Sequence, residues 1–122
     1  MTKTVKKVYS WEITKFHNKN GDLHNAKGPA LKTDFGDGRW EHCWYLCGLK
    51  HRVGGPAEEY SDGRRWWYES GKLHNPDGPA VMFPGAYSLV PAQYWIHGVN
   101  VTQEEFEAQR LNAAVSQLSI CR

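Results

Sequence analysis

Three histidines recur at one place in a repeated phrase. His24, His51 and His74 each stand three residues after a glycine and four before a Gly-Pro-Ala. Imidazole serves as a general base or a metal ligand, so these residues are the first candidates for chemistry. Their repetition argues against it. A side chain present once in every unit makes the same bond in every unit, whereas catalysis needs one asymmetric site. They are therefore expected to brace the linker backbone, whose buried donors and acceptors need partners. His17, His42, Cys43 and Cys47 could join them around a metal, but no zinc-knuckle spacing occurs. If Cys43 and Cys47 lie on one extended strand, their sulfurs stand about 13 Å apart. Ser10, Ser61, Ser70 and Ser88 sit in no nucleophile elbow, and no phosphate-binding glycine loop is present. The expectation is a protein with no catalytic residues, no metal and no cofactor.

The aromatic residues suit binding better. The chain holds six Trp and six Tyr in 122 residues. Trp44, Trp66, Trp67, Tyr94 and Trp95 cluster just ahead of the repeated glycines, with Arg52, Arg64 and Arg65 nearby. On a strand, neighbouring side chains face opposite ways, so one aromatic set fills the core. The other lies either under linkers and the last helix or at the surface. An exposed row of Trp, Tyr and Arg would form a protein hot spot, or a platform for stacking on sugars or bases.

The phrase positioning these residues is Gly-x-x-His-x-x-x-Gly-Pro-Ala. It begins at Gly21, Gly48 and Gly71, and a degenerate copy begins at Gly98. The intervals are 27, 23 and 27 residues, the mark of a repeat architecture. Asp37-Gly38 and Asp62-Gly63 lie between alternating segments and predict hairpin turns, and Pro84-Gly85 holds that place in the third unit. Gly21, Gly48 and Gly71 stand where an aromatic strand must reverse. The fold expected is mainly β: an antiparallel β-hairpin repeat array of three to four units, with an N-terminal strand and a C-terminal helix. It forms one domain over 1–122. The N-terminal strand lies in 1–15, the hairpin repeats in 16–100, and the helix with its tail in 101–122.

Thr102-Gln-Glu-Glu105 is a capping-box pattern, and no Gly or Pro follows it, which predicts the helix. Phe106 should pack on the sheet. Ala108, Leu111, Val115 and Leu118 form an opposing stripe. Leu111, Val115 and Leu118 are thus candidates for contact with a second copy in a homo-oligomer.

The formal net charge is only +2, and no dense basic stripe marks a nucleic-acid binder. No apolar run reaches the length of a membrane span, and three irregularly placed cysteines suit free thiols. These features lead us to expect a soluble cytoplasmic protein.

The string of aromatic pair, Gly-x-x-His-x-x-x-Gly-Pro-Ala and Asp-Gly resembles a repeat of small proteins from tailed bacteriophages and large DNA viruses. Its pattern there is Trp-Tyr-x-x-Gly-x-x-His-Arg-x-x-Gly-Pro-Ala, distantly like MORN repeats. The resemblance spans roughly Phe16 to Phe106. The arginine after the histidine is kept only at Arg52, with Asn25 and Asn75 in the other units. The resemblance implies a phage or viral accessory protein that binds and inhibits a host protein, including a defence factor, in the host cytoplasm. Two other readings are a sponge for nucleotides or sugars using Trp, Tyr and Arg, and an enzyme centred on a histidine.

Overall fold

A computed structural model describes residues 1–87 and 89–120, with side chains of the last helix up to Val115. The chain opens with a hairpin of β1 (Thr2–Val8) and β2 (Trp11–His17). The single N-terminal strand expected from the sequence is therefore two. The chain reverses at Tyr9, which takes a φ of 57°. No glycine or asparagine marks that turn, so composition gave no sign of it.

The repeats follow. β3 (Leu31–Asp34) and β4 (Trp40–Cys43) form a hairpin, and β5 (Tyr45–Leu46) and β6 (Leu49–Lys50) form a smaller one. The next unit repeats the order with β7 (Glu58–Tyr60), β8 (Arg65–Trp66), β9 (Tyr68–Glu69) and β10 (Lys72–Leu73). The last contributes β11 (Val81–Met82), a short 3-10 turn at Gly85–Tyr87, then β12 (Tyr94–Ile96) and β13 (Val99–Val101). Helix α1 runs over Gln103–Ile120. Strands β1, β2, β3, β4, β7, β8 and β11 lie side by side in one antiparallel sheet, and β5–β6, β9–β10 and β12–β13 stand apart as separate pairs. Each full unit thus holds two hairpins rather than the one expected. In the third, a lone bridge from Val81 to Gln93 replaces the second strand.

The small hairpins explain three of the four leading glycines, while Gly21 closes a longer turn in which its amide donates to the Asn18 carbonyl. Cys47-Gly48, Ser70-Gly71 and His97-Gly98 are two-residue turns with both residues at positive φ, near 49° and 81° in the first. Such turns match the right-handed twist of their strands, and glycine takes the second position without a Cβ penalty. Cys47, Ser70 and His97 have no such freedom and carry strain of about 1 kcal/mol each.

The core is thin. Ala30, Ala57 and Ala80, the last residues of each Gly-Pro-Ala, are fully buried at 0% exposure. Their carbonyls accept the amides of Phe16, Trp44 and Trp67. Among the described residues no large side chain is completely buried. Stability therefore comes mostly from half-buried rings and backbone ladders. Register sets the faces of the main sheet. Leu31, Cys43, Glu58, Trp66 and Val81 form one row, while Lys32, His42, Glu59, Arg65 and Met82 form the next row, on the other face.

At the helix start, the Thr102 hydroxyl oxygen accepts the Glu105 amide at 3.0 Å, as a capping residue does. Phe106, 3% exposed, lies against Tyr94 with ring centroids 4.8 Å apart. Gln109, Arg110 and Ala113 share its face and border a cavity with His74, Pro76, Ile96 and His97. Leu111 is 66% exposed on the opposite side, as is Val115 at 53%. The side chain of Leu118 lies outside the described residues. Among the described residues no helix is long and apolar enough to cross a membrane.

Candidate functional site

The three repeated histidines all make the same contact, and it reaches forward one unit. Nδ1 of His24 accepts the Cys47 amide at 3.0 Å, Nδ1 of His51 accepts that of Ser70 at 2.9 Å, and Nδ1 of His74 accepts that of His97 at 2.9 Å. Each acceptor therefore holds the strained first residue of the next unit's small turn. An accepting Nδ1 places the proton of the neutral ring on Nε2. In His74 that nitrogen faces the Glu69 carboxylate at 3.2 Å. Burial, with His97 stacked 4.1 Å away, holds His74 below the ordinary imidazole range.

The position after the histidine is also structural, by two different means. Asn25 and Asn75 donate from Nδ2 to the carbonyls of Pro29 and Pro79, and their Oδ1 atoms accept the amides of Lys27 and Asp77. Arg52 satisfies the equivalent Pro56 carbonyl with its guanidinium at 3.0 Å. That same guanidinium reaches Glu59 at 2.7 Å and lies 3.8 Å from the centre of the Trp44 ring. Asparagine is long enough for the carbonyl and too short for the ring.

This difference opens a site beside Trp67, ahead of the third Gly-x-x-His phrase. Phe16, Trp44, Trp67 and Tyr94 occupy one repeat position, shown for the last three by their common spacing to the turn glycines and for the first three by the shared bond to the buried alanine. Arg52 covers Trp44 and Phe106 covers Tyr94. Among the described residues, no ring or cation stands over Trp67. It borders an open groove of about 500 Å³, walled by the linker His51–Gly55 on one side and His74–Asp77 on the other, with Tyr68 and Glu69 beside it. The corresponding groove at Trp44 is smaller, about 310 Å³.

The eight residues expected to bind from sequence do not share one surface. Trp44, Arg52 and Trp67 lie along the grooves, and Arg65 shares the sheet face of His42 and Glu59. Trp66 points to the opposite face, where Arg64 stands 6.0 Å over its ring and pairs with Asp62 at 2.8 Å. Tyr94 is covered by Phe106, and the Trp95 indole donates to Gln93 at 3.0 Å. The strand period of two separates these neighbours in sequence. Sequence reasoning missed Glu69, Asn75 and Asp77 as groove residues. The Arg-to-Asn change at the position after histidine was the available signal, and it reads as a site only once Trp44 and Trp67 are known to be equivalent.

Elsewhere, Cys43 and Cys47 point to different surroundings. Cys43 is buried, and burial beside the Glu58 carboxylate pushes its thiol up to about 11. Cys47 sits in an exposed turn, its sulfur 3.8 Å from Nδ1 of His24. Among the described residues no group of three His, Cys, Asp or Glu could hold a metal ion. Glu58 instead anchors a polar cluster, accepting from Lys50 at 3.2 Å and from the Tyr60 hydroxyl at 2.8 Å. Comparison with protein-family models, with curated proteins and with solved structures returns no match to the chain.

Proposed function

We propose that the protein is a non-enzymatic binding protein that takes a segment of a partner protein into the groove floored by Trp67. The observation that carries this reading is the uncovered indole, in a position where the neighbouring units cover their own rings. Half-buried tryptophan between polar walls is the anchor type found at protein hot spots. Taken with the phage-like repeat, the partner is a host protein that the binding inhibits, in the host cytoplasm.

The test is site-specific photocrosslinking in host lysate. A photoreactive residue at Asp77 should capture one partner, and the capture should vanish in Trp67→Ala. A photoreactive residue at Lys15, away from the groove, should capture nothing comparable. Equal capture from both positions would refute the reading. A thermal shift with nucleotides or sugars, and no capture, would favour a small-ligand sponge.

Self-association through α1 is a second proposal, motivated by Leu111. It is exposed on the side of the helix opposite Phe106, which is docked.

A further inference from the structure

The occupant of the groove can be argued from the units beside it, and this inference rests on the Trp67 groove being the binding site. The repeat position of Trp67 is covered elsewhere by three different groups. The Lys3 ammonium lies 6.0 Å from the centre of the Phe16 ring, the Arg52 guanidinium 3.8 Å from that of Trp44, and the Phe106 ring 4.8 Å from that of Tyr94. The surroundings differ in step with the cover. Phe106 borders a cavity with Pro76, Ile96 and Ala113 and with His74, His97 and Arg110, none of them acidic, whereas Arg52 lies against the Glu59 carboxylate.

The Trp67 groove resembles the second setting. Glu69 and Asp77 line it, and the neighbouring cation, Arg52, is already neutralised by Glu59 at 2.7 Å. Asn75, which stands where Arg52 would, uses its amide on Pro79 and Asp77. The groove therefore has a bare indole and acidic walls of its own, and it lacks the guanidinium that its sister groove supplies from within.

We propose that the groove takes an arginine side chain of the partner protein, stacked on the Trp67 indole within reach of the Glu69 and Asp77 carboxylates. Arginine suits this better than lysine. Its planar guanidinium stacks on a ring while its edge still donates hydrogen bonds, and it is more weakly hydrated than an ammonium.

The test follows the tryptophan indole N–H resonances by NMR, with Trp67 assigned from Trp67→Phe. The probes are acetyl-Gly-Arg-Gly-amide and its citrulline and lysine counterparts. The arginine peptide should give a saturable shift at Trp67 and none at Trp44, with citrulline at least about fivefold weaker. Glu69→Gln should weaken the response. Asn75→Arg should abolish it by filling the groove from within. Should that variant fail to fold, Arg52→Ala gives the converse reading, since Trp44 should then become responsive. Equal response to the citrulline peptide, no saturable shift, or preference for adenosine monophosphate would each overturn the inference. So would a crosslinked partner segment without arginine, although the groove would still stand as a protein-binding site. Specific arginine binding without any captured partner would support the inference and count against the broader reading.

Discussion

The grooves at Trp44 and Trp67 share one backbone frame and differ in the side chains set on it. Both are bounded by two successive linkers, and both rings hang from an amide bonded to a buried alanine carbonyl. In the second unit, Arg52 links the Pro56 carbonyl, the Glu59 carboxylate and the Trp44 face. In the third, Asn75 keeps the carbonyl bond and leaves the ring open. The acid is lost as well, since Met82 stands two residues after its buried alanine and opposite Arg65, as Glu59 does after Ala57 and opposite His42. A repeat can thus conserve its scaffold while one unit gives up an internal contact. The surface so released is apolar in one place and polar around it, which is what a binding site needs.

The comparison predicts that damage to the shared frame is large and equal in both units. Ala57→Leu and Ala80→Leu should each destabilise by about 3 kcal/mol, because neither side chain has room to grow. Chemical denaturation checks this, and a mild effect at only one alanine would mean the frames are not equivalent. Removing the braces should cost less. His51→Ala and His74→Ala should each lose about 1–2 kcal/mol as a turn amide loses its acceptor. Unchanged stability with lost binding in one of them would assign that histidine a ligand role.

The next effect separates the two grooves. Arg52→Ala should cost about 1 kcal/mol, from a partly exposed stack and ion pair. Trp67→Phe should cost less. Equal losses would show that Arg52 does not hold Trp44.

His74 gives a pH effect. Its folded state binds a proton less readily than the unfolded chain, so its contribution is present above the ordinary imidazole value of 6.5 and declines as pH falls below it. Glu69 opposes this shift, and His97 adds to it. The melting temperature should therefore fall between pH 7.5 and pH 5.5, and the fall should shrink in His74→Gln. An unchanged melting temperature in wild type would contradict the geometry.

The smallest effect on stability belongs to α1. Leu111→Glu should change it by less than about 0.5 kcal/mol, as an exposed site does. Light scattering of wild type and a Leu111→Glu, Leu118→Glu double variant decides the self-association proposal. A monomeric wild type ends it.

Local patterns in the chain were enough for the mainly β class, the turn at each leading glycine, the capped helix and the docking of Phe106. These depend on local spacing: an Asp-Gly, a Thr three residues before a Glu, a phrase repeated at fixed length. Such patterns left out the Tyr9 turn, which a tyrosine in left-handed geometry makes without the usual residues. They also left out the second hairpin of each unit, because Trp44-Tyr45 and Trp67-Tyr68 read as continuous strand. Which aromatic faces which way, and what covers it, depends on how the elements pack. Arg52 reaches Trp44 and Glu59 across separate elements, and Phe106 closes over Tyr94 from the helix. Cover over a ring is a property of elements meeting in space, with no period in the sequence. The open groove at Trp67 became visible for that reason only when equivalent positions were compared in three dimensions.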